Sequence, residues 1–105
     1  MTEQSTLVWT ADTILDFLAA HRRELRSMGV VKIGVFGSYV RGEQKPGSDL
    51  DLLFARENLT WRRWMTVWNF LEDNLNYAVD LVPKEDLRPE LHPYVLPEVR
   101  YAEGF

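Results

Sequence analysis

The stretch from Val30 to Ala55 constrains this chain more than any other. VVKIGVF, Val30 to Phe36, is rich in β-branched residues and short enough to be a buried strand. It runs directly into Gly37-Ser38, and after the ten residues Tyr39 to Ser48 the chain enters DLDLLFAR, Asp49 to Arg56, which reads as a second strand. Gly42, Pro46 and Gly47 punctuate the connection, and a short helix is predicted to start at Ser38.

Side chains alternate across a strand with a period of two, so Asp49 and Asp51 share one face while Leu50 and Leu52 share the other. Two like charges side by side at the edge of a core repel, and they are costly there unless a cation sits between them. A third carboxylate, Asp80, lies in the apolar run YAVDLV, Tyr77 to Val82, which reads as another strand. With the two strands adjacent, three hard oxygen ligands converge, a donor set suited to magnesium or manganese with room for waters and substrate phosphates. Gly37 and Ser38, at the end of a buried strand, offer backbone N–H groups and a hydroxyl as a cradle for phosphate.

The rest of the chain supports one core. Its 105 residues, 46% hydrophobic and 27% charged, are the size and balance of a single globular domain, residues 1–105. From Ala11 to Met28 the apolar residues Ile14, Phe17, Leu18, Leu25 and Met28 recur at helical spacing, with Thr10 or Asp12 as a cap and His21 as a structural residue in the stripe. A further helix is predicted over Thr60 to Asn74. Its core face is drawn through Trp61, Trp64, Met65, Trp68, Leu71 and Leu75, which leaves Phe70 on the opposite side as a candidate partner or dimer contact. Lys84 to Leu87 reads as one turn of helix, and Val99 to Ala102 as a short edge strand. Pro89, Pro93 and Pro97 prevent a long helix in the tail. The fold class is therefore α/β in the broad sense, or α+β: a small mixed sheet flanked by helices.

Composition narrows the function classes. A net charge of −4 and a pI near 5.1 argue against direct nucleic-acid binding, whose footprints are basic. Cysteine is absent, which excludes disulfides and thiolate metal sites. No secretory signal or membrane span is recognisable, so a cytoplasmic location is expected and no membrane partner. A phosphate loop of the ATPase kind is excluded because no Gly-Lys-Ser/Thr follows the glycines. Ser38 also lacks the context of a hydrolase nucleophile.

Gly37-Ser38, ten residues, then Asp49-Leu50-Asp51, with Asp80 on a later strand, resembles the signature of the minimal nucleotidyltransferases of the DNA polymerase beta-like superfamily. The resemblance covers nearly the whole chain and implies the polymerase beta-like nucleotidyltransferase core. It implies that Ser38 and the backbone around Gly37 bind the β and γ phosphates of ATP, with Arg41 also touching phosphate. It implies that Asp49 and Asp51 hold magnesium ions, manganese being an alternative, and that Asp80 completes one metal site and orients or deprotonates the attacking hydroxyl. Many free-standing members are similar to antitoxins that silence a HEPN-domain RNase toxin by attaching AMP to one of its tyrosines. That makes a HEPN toxin the expected partner and AMP transfer from ATP the expected reaction, with homo- or hetero-oligomerisation left open. The acidic surface fits a basic nuclease. Two other readings compete: an antitoxin that acts by binding alone, and a nucleotidyltransferase acting on RNA or a small molecule.

Overall fold

The computed structural model describes residues 9–45, 49–56 and 60–105. Pro46, Gly47 and Ser48, within the predicted connection, lie outside the described residues. The chain opens with α1 (Ala11–Ala20) and α2 (Arg22–Ser27), followed by β1 (Val30–Phe36), the four-residue α3 (Ser38–Arg41) and β2 (Leu50–Arg56). Next come α4 (Trp61–Leu75), β3 (Val79–Pro83), two short 3-10 turns (Lys84–Asp86 and Pro89–Leu91), α5 (His92–Val95) and β4 (Arg100–Tyr101). The strands form one mixed sheet in the order β3-β2-β1-β4, with β1 antiparallel to β2 and β4, and β2 parallel to β3.

The parallel β2–β3 pair needs a crossover, and α4 supplies it. The Thr60 hydroxyl accepts from the Arg63 N–H at 3.3 Å to start α4, and Asn76, left-handed at φ 54°, ends it. α1 begins with a reciprocal cap between Thr10 and Thr13. The single helix expected over Ala11 to Met28 is interrupted at His21. There the backbone turns to φ −106°, ψ 19°, and the imidazole Nδ1 lies 2.9 Å from the Phe17 carbonyl.

Alternation along the strands divides the molecule in two. Ile33 and Val35 of β1, Leu50, Leu52 and Phe54 of β2, and Val79 and Leu81 of β3 point toward the helices and form the main core with Ile14, Leu18, Leu25, Leu71 and Leu75. Leu53 faces the other way, where it packs with Leu87 and Val95 beneath the C-terminal segment. β4 can lie close against β1 because Gly34 has no side chain. A Cβ there would come within 2.8 Å of the Arg100 carbonyl and of Val99.

The phase of α4 departs from expectation. Its buried face is Val67, Leu71 and Leu75, with Trp64, Trp68 and Phe70 partly buried against the core. Trp61 is 71% exposed and Met65 37%. Phe70 is no free surface residue, since its ring packs edge-on to His21 at 5.8 Å between centroids. The helix presents a wider apolar arc than one stripe, and the sheet selects the part centred on Val67.

Candidate functional site

The second face of the sheet, opposite the helices, carries the motif residues. Asp51 is the first outward-facing residue of β2, and register pairs it with Phe36 of β1 and with Asp80 of β3. Paired residues in neighbouring strands point to the same face, so Asp51 and Asp80 stand side by side. Asp49 immediately precedes β2 and is exposed, as is Asp80, whereas Asp51 is half-buried.

Electrostatics register this crowding. Burial, reinforced by repulsion from Asp80 and then Asp49, pushes the Asp51 carboxyl from its ordinary 3.8 up to about 6. Arg41 opposes the shift and Glu98 adds to it. Among the described residues, no three or more acidic, histidine or cysteine side chains are gathered closely enough to hold a metal ion between them. The three aspartates form an open edge rather than the single point of convergence expected. Such an edge fits magnesium, which keeps several waters and is held by one or two carboxylates together with substrate phosphates. The raised Asp51 carboxyl reflects its burial first and the neighbouring carboxylates second.

The turn between β1 and α3 explains why Gly37 precedes Ser38. Gly37 adopts φ 80°, ψ −149°, a conformation essentially reserved for glycine, and a Cβ there would collide with the Asp51 carboxylate. The sharp turn lets the backbone touch the acidic edge and sets Ser38 at the start of α3. Tyr39 anchors that helix in the main core, its ring edge-on to Tyr77 at 6.0 Å. Arg41, at the end of α3, donates from Nε to Glu43 at 2.7 Å and from Nη1 to Glu98 at 3.1 Å.

Glu98 is the site residue that sequence reasoning missed. It follows α5 in the tail, yet its Oε2 accepts the Gly37 N–H at 2.9 Å across 61 residues of chain. Neither histidine joins the site: His92 Nε2 donates to the Leu87 carbonyl at 3.0 Å, and His21 belongs to the helix break. A cleft of about 460 Å³ lies elsewhere, lined by Asp12, Asp16, Arg100 and Tyr101 among others, and contains no motif residue.

Comparison with known proteins agrees with this geometry. Residues 18–101 match the nucleotidyltransferase domain family. The chain belongs to that family. Protein adenylyltransferase MntA of Thermococcus cleftensis is 44% identical over 95 residues, covering 89% of this chain and 96% of that protein. A solved structure provisionally named a minimal nucleotidyltransferase superposes with a TM-score of 0.76 at 34% identity, covering 90% of this chain and 97% of that one. A toxin–antitoxin crystal structure with AMP-PNP matches with a TM-score of 0.65 at 25% identity, over 80% of this chain and 70% of that chain. At this sheet edge the carboxylates of Asp51 and Asp80, in register on neighbouring strands, lie beside the Gly37 turn. No helix among the described residues is long and apolar enough to cross a membrane.

Proposed function

We propose that this nucleotidyltransferase transfers AMP from ATP to a protein hydroxyl, namely a tyrosine of a HEPN-domain RNase toxin, and so acts as the toxin's antitoxin. The observation that carries the reading is the in-register pair Asp51–Asp80 beside Asp49, set against the Gly37-Ser38 turn. The identity to a protein adenylyltransferase over almost its whole length supports a protein acceptor. The likeness to a toxin–antitoxin structure with a bound ATP analogue supports both the nucleotide and the setting.

In this reading Asp49, Asp51 and Asp80 would hold magnesium, or manganese in its place, which would supply positive charge against the negative charge that develops in phosphoryl transfer. Ser38 and the Gly37 backbone bind the β and γ phosphates, and Arg41 adds a guanidinium contact. Asp80 orients the tyrosine hydroxyl and accepts its proton. The phenolic oxygen bonds to the α phosphorus while the bond from that phosphorus to the bridging oxygen breaks, and pyrophosphate leaves.

Label transfer distinguishes this from binding alone. With ATP labelled in the α phosphate, the HEPN partner is expected to become labelled in magnesium. ATP labelled in the γ phosphate should leave it unlabelled. Absence of α label on a partner that nevertheless co-purifies and is inactive would favour neutralisation by binding.

A further inference from the structure

We propose that the Glu98 carboxylate is a built-in competitor for the nucleotide phosphates, seated on the Gly37 amide and the Arg41 guanidinium until ATP displaces it. The inference rests on the nucleotide-binding reading above. Gly37 N–H donates to Glu98 Oε2 at 2.9 Å, and Arg41 Nη1 donates to Oε1 at 3.1 Å and to Oε2 at 3.3 Å. A backbone amide beside a guanidinium is a donor pair that suits phosphate oxygens, and a carboxylate offers the same charge and paired oxygens. The Glu98 side chain is only 22% exposed, so it lies within the site rather than over it.

Two features of this geometry separate a competitor from a structural brace. The amide has one hydrogen, and a phosphate oxygen taking it must remove Glu98. Arg41 also donates through its Nε to Glu43 at 2.7 Å, a contact that does not depend on Glu98.

Calorimetric titration of AMP-PNP in magnesium into wild type, Glu98→Gln and Glu98→Ala tests the inference, with thermal melting of each unliganded protein alongside. Glu98→Ala is expected to bind about tenfold more tightly than wild type, equivalent to about 1.4 kcal/mol. Glu98→Gln should gain less, because its amide oxygen still accepts from Gly37. Both variants should melt no higher than wild type, so that the gain in affinity is not a gain in overall stability. Should Glu98→Ala fail to fold, the similarly sized Gln variant carries the comparison. Variants that bind AMP-PNP no more tightly than a wild type that does bind would make Glu98 a brace for Arg41 and overturn the inference, leaving the nucleotide reading intact. If neither wild type nor variants bind, the nucleotide reading fails and this inference with it.

Discussion

Asp51 takes up a proton on folding that the unfolded chain releases at lower pH, because its carboxyl is raised from 3.8 to about 6. Between those values the folded protein binds more protons than the unfolded chain, so stability falls as pH rises through the window, and the full cost is present above it. Asp51→Asn removes that cost. In chelator the variant is expected to melt above wild type at about pH 7.5, with the margin shrinking as pH drops through the same window. A variant that melts below wild type at neutral pH would show that Asp51 is no source of strain. Gly37 makes a second residue-scale case. Gly37→Ala places a side chain at φ 80° and against Asp51, so a loss of about 1–3 kcal/mol is expected in denaturant unfolding. Unchanged stability would mean that the turn relaxes without strain.

At the scale of elements, α4 positions Asp80 by leading into β3, and Glu72 ties the two together. Its Oε2 accepts from Trp68 Nε1 at 3.1 Å and from the Val79 N–H at 3.0 Å. Phe70→Ala is expected to destabilise the protein by about 2 kcal/mol, a partly buried share of a full aromatic truncation. Trp61→Ala should stay within about 0.5 kcal/mol of wild type, as expected for an exposed site. Chemical unfolding of both variants checks the order, and a reversed ranking would return the core face of α4 to Trp61. The Gly-Ser and Asp-x-Asp elements were legible in the sequence because their geometry is local: strand period and turn chemistry place them. The phase of α4 was less legible. Trp61, Trp64 and Trp68 share one side of the helix and draw the apparent core face toward themselves, and only tertiary packing reveals that Val67, not Met65, continues the line to Leu71 and Leu75. Glu98 could not be read at all, since its partners lie 61 and 57 residues away and no local pattern links them.

For the whole molecule, the sheet separates stability from chemistry. One face is a helix-covered apolar core. The other holds a smaller cluster under the tail and an acidic edge that costs stability without a cation. Magnesium at a hundredfold excess over its dissociation constant should therefore stabilise wild type by about 2.7 kcal/mol. Asp51→Asn should gain much less, and equal gains in a thermal-shift comparison would remove Asp51 from the metal site. Intact-mass spectrometry of the HEPN partner tests the central claim most directly, after incubation with ATP, magnesium and either wild type or Asp51→Asn. The account predicts that wild type raises the partner's mass by whole AMP steps, that the variant does not, and that chelator abolishes the gain. A partner mass unchanged by wild type, or raised equally by Asp51→Asn, would contradict it.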